Sequence, residues 1–185
     1  MKLRTKFAVI LVVVTLVLSV GVYGGLEVYK DQLVSQAQDN VDETAALTAA
    51  QVDATLEQRK DYIGYVASRP RAAEFDSSDE YLREIVRNSR FFAAQIVDAN
   101  GTIVNLHGDI TQDIRQEAIG SNVRNRSYVT RALGGQVYVT EPEFVNATQS
   151  HLVIIGAPIF EGGDIVGVLA ASIYVDQQTF FSGLV

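Results

Sequence analysis

An uncharged apolar run near the N-terminus, from Phe7 to Leu26, constrains this chain most strongly. As a helix, a run of about 20 residues crosses the roughly 30 Å hydrocarbon core of a membrane. Three basic residues precede the run, Lys2, Arg4 and Lys6, whereas the flank that follows it carries no net positive charge. The positive-inside rule therefore predicts a cytoplasmic N-terminus. We interpret residues 1–26 as this short N-terminus and the single transmembrane anchor of a cell-membrane protein whose remainder is extracytoplasmic.

The alternative interpretation of the same run is a cleaved signal peptide. Signal peptides have an apolar stretch of about 7–15 residues before a small-x-small cleavage site. The run here is longer, and Ser19-Val20-Gly21 and Tyr23-Gly24-Gly25 match such a site poorly. An uncleaved anchor is therefore the favoured interpretation.

A long amphipathic helix is predicted next, over residues 27–69. The stretch contains no proline, and its apolar residues recur mainly in steps of three and four. About 40 residues at 1.5 Å each give a rod of roughly 60 Å, longer than a small domain is wide. Such a rod packs on the domain for part of its length, pairs with a second copy, or is a simple stalk. We predict a homodimer that pairs through Leu33, Val41 and their neighbours.

Residues 70–176 have the pattern of an antiparallel α+β domain. Five strands are predicted: Phe91–Val97, Thr102–His107, Gln136–Glu141, His151–Phe160 and Ile165–Val175. Helices are predicted at Asp79–Ser89, behind a capping box of Ser77 and Glu80, and at Arg126–Leu133, capped by Asn125, with a short helix or loop at Asp109–Ala118. Strands in hairpin-like succession with helices between the second and third are typical of α+β folds. Residues 177–185 are expected to begin a helix that leads to a second membrane span.

Composition excludes several classes of function. Acidic residues number 22 against 15 basic ones, a net charge of −7, whereas a nucleic-acid surface needs an excess of Lys and Arg. With no cysteine, the chain has neither a thiolate nucleophile nor a cysteine metal site. His107 and His151 lie on different predicted strands without ligand spacing, and no phosphate loop or nucleophile elbow is present. We therefore predict no nucleic-acid partner, no metal, no cofactor and no enzyme; a hydrolase is the least supported class.

Four short motifs together resemble the Cache family of extracytoplasmic sensors. They are Val97-Asp98-Ala99-Asn100-Gly101-Thr102-Ile103-Val104, Arg126-Ser127-Tyr128-Val129 with Ala132-Leu133-Gly134-Gly135, Ala157-Pro158-Ile159, and Ile165-Val166-Gly167-Val168-Leu169. The family occurs in chemoreceptors, histidine kinases and cyclic-dinucleotide enzymes, and its fold is a PAS-like five-stranded antiparallel sheet with flanking helices and a pocket on one face. The resemblance implies the ligand-sensing input domain of a membrane receptor. A membrane-anchored protein-interaction module without a small ligand is the alternative.

Arg126 is the first candidate for ligand binding. A guanidinium at a helix start binds a carboxylate bidentately; the alternative is a surface arginine paired with Glu141 or Glu143. Arg124 is the second candidate, and Tyr128 is either a pocket wall or a core aromatic. Polar residues at alternate positions of the predicted strands complete the set, namely Tyr138, Thr140, Ser172 and Tyr174.

One departure from the family bears on the ligand. In the amino-acid-binding branch of the double-domain relatives, the Arg of an Arg-x-Trp-Tyr run holds the ligand carboxylate, and an Asp in the final strand holds the α-ammonium. Here Arg126 and Tyr128 match that run, Val129 replaces its second aromatic residue, and Ser172 stands at the position of the Asp. The resemblance therefore implies a small carboxylate without an α-ammonium rather than an amino acid.

Overall fold

The computed structural model describes residues 38, 40–75 and 78–175. They fall into two compact units, divided between Ala54 and Thr55. The predicted membrane anchor, Leu33, Ser77 of the predicted capping box and the predicted helix of residues 177–185 lie outside the described residues. No helix within the described ranges is long and apolar enough to cross a membrane.

The described part of the first unit is helical over residues 40–54, as predicted. Val41 and Leu47 are largely exposed there, at 66% and 65% of their surface. The hydroxyls of Thr44 and Thr48 donate hydrogen bonds to the carbonyl oxygens four residues earlier, as hydroxyls on helices commonly do.

The second unit is an antiparallel sheet with helices on both faces. Its helices are α1 (55–67), α2 (Ser78–Ser89), α3 (Gln112–Ala118) and α4 (Ser127–Leu133), with a 3-10 turn at Pro70–Ala73. Its strands are β1 (Ala93–Asp98), β2 (Ile103–Gly108), β3 (Tyr138–Val139), β4 (Glu143–Val145), β5 (Ser150–Glu161) and β6 (Asp164–Tyr174). The strand order is β2-β1-β6-β5-β3, and β4 also pairs with β5. The predicted α+β class is confirmed.

Alternation along the strands divides the core into two layers. On one face, Leu169 and Ala171 of β6 pack with residues of α1 and α2, including Ile63 and Leu82. On the other face, Ala170 lies in a cluster that includes three buried residues of α4, namely Tyr128, Val129 and Ala132. The sheet therefore separates α1 and α2 from α4, and the second face is the one that carries a cavity.

The third predicted strand is corrected by the structure. Residues 138–139 and 143–145 form two short strands beside β5, so the sheet has six strands rather than five. Pro142 lies in the gap between them, and it has no N–H to donate to the ladder. Within the gap Thr140 keeps contact with β5, since its N–H donates to the carbonyl oxygen of Ile154 at 2.9 Å.

The start of α4 also differs from the prediction. Arg126, rather than Asn125, occupies the N-cap position, and no side chain caps this helix. The preceding segment is tied to the β1–β2 turn, because the N–H of Val123 donates to the carbonyl oxygen of Gly101 at 2.7 Å. A turn then follows in which the N–H of Arg126 donates to the Val123 carbonyl oxygen at 2.9 Å, so the helix begins one residue later than predicted.

Candidate ligand-binding cavity

A cavity of about 190 Å³ lies on the second face of the sheet. Its apolar wall includes Phe92 directly before β1, Leu106 from β2, Ile114 and Ala118 from α3, and Val145 from β4. This volume is smaller than the roughly 300–1,000 Å³ of sites for drug-sized ligands, so the cavity suits a small molecule.

Polar side chains are few in this lining and come from several elements. They are Gln95, Arg126, Tyr128, Glu143, Thr148 and Ser172. A mostly apolar cavity with a few convergent polar groups is the usual form of a small-molecule site. Three of the seven residues predicted from the sequence, Arg126, Tyr128 and Ser172, are therefore brought together here.

Tyr128 is held in the cavity wall by two contacts. Gly156 of β5 lets α4 approach the sheet, because a Cβ at that position would lie 2.6 Å from the Tyr128 carbonyl oxygen. The hydroxyl accepts a hydrogen bond from Gln95 Nε2 at 2.9 Å. Because the oxygen is the acceptor in that bond, its own O–H remains available to donate.

The environment of the Tyr128 hydroxyl favours its protonated form. Burial raises the pKa of Tyr128, and the negative charge of Glu143 acts in the same direction, whereas the Gln95 hydrogen bond and the charge of Arg126 oppose the shift. The hydroxyl is therefore a neutral donor at physiological pH, and it lies within electrostatic reach of both charged residues of the cavity.

Arg126 and Glu143 face each other at the solvent-facing edge of the cavity. Arg126 Nη1 lies 3.7 Å from Glu143 Oε2, which is an ion pair but too long for a hydrogen bond. The arginine side chain is 63% exposed and the glutamate side chain 33%. The pairing with Glu143 that was the alternative for Arg126 is thus present, yet both side chains also line the cavity.

Ser172 reaches the same space from β6. It lies opposite Ala93 of β1, and its hydroxyl donates to the Ala93 carbonyl oxygen at 3.3 Å. The Ser172 oxygen can still accept a hydrogen bond from a ligand.

Arg124, the second candidate, lies away from the cavity lining. Its guanidinium donates to the carbonyl oxygen of Ala99 at 2.7 Å. Its backbone packs against Gly101, where φ is +86° and a Cβ would lie 2.4 Å from the Arg124 Cβ. Arg124 therefore holds the β1–β2 turn.

The structure also places Tyr138 and Thr140 outside the lining. The ring of Tyr138 lies 5.7 Å from the guanidinium carbon of Arg131. Thr140 is buried, and its Oγ1 accepts a hydrogen bond from the N–H of Ile154 at 3.0 Å. Both residues stabilise the sheet edge beside the cavity.

Tyr174 does not line the cavity but packs against a residue that does. Its ring packs on that of Phe92, with 4.2 Å between the centroids, and Phe92 itself lines the cavity. Burial raises the pKa of Tyr174, and the negative charge of Asp109 adds to that shift.

Three polar residues of the lining were not among the candidates predicted from the sequence: Gln95, Glu143 and Thr148. Gln95 is the single polar residue of the run Phe91–Val97, which is a signal the sequence does contain. Glu143 was considered only as a surface partner of Arg126, because β4 was not predicted. Within the described residues, no cluster of three His, Cys, Asp or Glu side chains has the geometry to hold a metal ion.

Comparison with known proteins finds likeness in structure only. No family model and no curated protein matches the sequence. The ligand-binding domain of the amino acid chemoreceptor PctC of Pseudomonas aeruginosa PAO1, solved with GABA, matches with a TM-score of 0.54 at 23% identity, over 79% of this chain and 64% of that one. The sensor domain of the V. cholerae histidine kinase DctB matches with a TM-score of 0.60 at 16% identity, over 83% and 59%.

A third match is the ligand-binding domain of the Pseudomonas fluorescens chemoreceptor CtaA, solved with L-leucine. Its TM-score is 0.51 at 23% identity, over 70% of this chain and 53% of that one. This chain thus spans less than two thirds of the length of each of these domains. These likenesses confirm the fold that the sequence motifs implied: this chain has the Cache-type fold of chemoreceptor and histidine kinase sensor domains.

Proposed function

We propose that this chain is the extracytoplasmic sensing domain of a membrane receptor and that its cavity binds a small carboxylate with a short apolar body. The observation that carries the proposal is that Arg126 and Tyr128 both line one mostly apolar cavity. The guanidinium would bind the carboxylate, and the walls would bury the hydrocarbon part.

The donors of Arg126 support this assignment. In the described part of the chain its guanidinium makes no hydrogen bond, since Glu143 stays 3.7 Å away. A guanidinium presents its N–H groups in a fixed fork that matches a carboxylate. The Tyr128 O–H adds a neutral donor from inside the cavity.

The structural relatives support the ligand class and the receptor role. GABA and L-leucine, named for two of them, are small molecules with a carboxylate and an apolar portion. The third belongs to a histidine kinase. No catalytic constellation was found in the sequence, and the relatives are sensor domains, so we propose a binding function rather than an enzyme.

The location and assembly rest on the sequence. The basic flank before Phe7 and the apolar run behind it support a single transmembrane anchor with the domain outside the cell. Residues 27–69 would then lead from the membrane to the sensor domain of residues 70–176. Exposed Val41 and Leu47 support a homodimer formed through the helix.

A ligand screen tests the proposed function. The full chain in detergent is titrated by calorimetry with short carboxylic acids, amino acids and the matching amines and alcohols. Binding of compounds with a carboxylate, and not of the matching amines or alcohols, is the expected result. Binding that does not depend on the carboxylate would overturn the proposal.

A further inference from the structure

The charges at the cavity cancel each other. Arg126 and Glu143 are the two charged side chains among the residues that line it. They face each other at 3.7 Å without a hydrogen bond, so each keeps its full set of donors or acceptors for a third group. The Glu143 side chain is two-thirds buried, so its carboxylate has already lost part of its water.

A ligand with only a negative charge is a poor match for this pair. When its carboxylate binds Arg126, it comes close to the Glu143 carboxylate as well, because the two side chains are neighbours. A second negative charge about 5 Å away, partly screened by solvent, lowers affinity roughly tenfold. If the ligand also carries a cationic group, that group is attracted to the Glu143 carboxylate, and this attraction offsets the repulsion.

We infer that Glu143 sets the charge preference of the cavity by holding a cationic group of the ligand while Arg126 holds its carboxylate. This inference rests on the proposed function, since it assigns the second half of the same site. The ligand class is therefore a small carboxylate with an ammonium group, and monoanionic acids are disfavoured.

The position of Glu143 explains why the sequence, which has Ser172 at the position of the family's Asp, predicted a ligand without an ammonium group. Ser172 stands on β6, where a carboxylate would hold an ammonium in the amino-acid-binding relatives. Here a carboxylate arrives from β4, at the other side of β5. Glu143 and Val145 both line the cavity, and Phe144 between them is half exposed, as alternation along a strand requires.

Three probes of similar size separate the charges. Norvaline has both charges, valerate has only the carboxylate, and pentylamine has only the ammonium. Calorimetric titration of the full chain in detergent should show norvaline binding at least tenfold more tightly than either of the other two.

The variant Glu143→Gln removes the charge and keeps the shape of the side chain. We expect it to weaken norvaline binding about tenfold and to strengthen valerate binding, so that the preference between them is lost or reversed. Glu143→Asp, which keeps the charge, should retain the preference for norvaline. Glu141→Gln is the matched control, because Glu141 is exposed and does not line the cavity; it should behave as the wild type.

Failure of the inference is distinct from failure of the proposed function. If valerate binds the wild type as tightly as norvaline, or if Glu143→Gln leaves the ratio unchanged while Arg126→Ala weakens both acids, the inference is wrong and the carboxylate site stands. If none of the probes binds at millimolar concentration, or if Arg126→Ala affects neither acid, both proposals fall. Circular dichroism of each variant establishes that it has folded.

Discussion

The carboxylate of Asp79 in α2 accepts a hydrogen bond from the guanidinium of Arg115 in α3, with 2.5 Å between Oδ1 and Nη2. The two helices serve different faces of the sheet. The helix α2 packs on one face, whereas Ile114 and Ala118 of α3 line the cavity on the other. The bond therefore ties a helix of the cavity to the opposite layer around the edge formed by β2.

The Asp79 contact predicts a pH-dependent contribution to stability. Partial burial acts to raise the pKa of Asp79, but the hydrogen bond and charge of Arg115, together with the charges of His107 and Arg83, outweigh it and lower the pKa. A carboxyl with a lowered folded pKa stabilises the fold above its ordinary pKa, and this contribution is lost as the pH falls through the folded value.

We expect Asp79→Asn to lower the free energy of unfolding at pH 7 by about 0.5–1 kcal/mol, since Asp79 is partly exposed and its ion pairs are screened. Urea denaturation at several pH values measures this. The difference from the wild type should shrink as the pH falls below about 4. A difference that is the same at pH 7 and at pH 2.5 would contradict the assignment.

Gly156 is predicted to be required for the close packing of α4 against β5. In Gly156→Ala the new Cβ would meet the Tyr128 carbonyl oxygen, so α4 must shift away from β5. We expect a loss of about 1–3 kcal/mol in the free energy of unfolding, as for other overpacked sites. Gly64→Ala is the control, because its Cβ would meet only the Val137 Cγ2 at 3.3 Å and alanine favours the helix. Equal effects of the two substitutions would argue against a specific contact at Gly156.

The hydrogen bond between Gln95 and Tyr128 is predicted to stabilise the cavity. Tyr128→Phe removes the acceptor and leaves the half-buried Gln95 amide without its partner, which should cost about 1–3 kcal/mol of unfolding free energy. Carboxylate affinity should fall as well, because the O–H donor is lost. The control is Tyr65→Phe, since Tyr65 is 60% exposed. If the two variants have the same stability and affinity, the bond has no such role.

Local patterns in the sequence were sufficient to predict much of the domain. Two apolar runs joined by the glycine-rich turn at Gly162-Gly163 predicted the β5–β6 hairpin to within one residue at each end. The helix predicted at Asp79–Ser89 from its capping box begins one residue earlier, at Ser78, and the two strands predicted around the turn at Gly101 are both present. Each of these depends on contacts between residues that are close in the chain.

Features that depend on distant contacts were missed. The strand β4 has three residues, too few for a recognisable alternating pattern in the sequence. It forms because the first residues of β5, Ser150 to Leu152, pair with Glu143 to Val145. Without β4, Glu143 had no place in the cavity. Arg124 and Arg126 are two residues apart and look equivalent in the sequence; only the packing of Arg124 on Gly101 separates their roles.

The affinity of Arg126→Ala for the best-binding carboxylate of the screen tests the central claim most directly. Loss of a charge-assisted contact costs about 1.5–3 kcal/mol, so the dissociation constant measured by calorimetry should rise roughly ten- to hundredfold. Arg87→Ala is the matched control, because Arg87 is exposed on α2 and lies on the opposite face of the sheet, and it should bind as the wild type does. If Arg126→Ala binds the same carboxylate as tightly as the wild type, the cavity is not the carboxylate site described here.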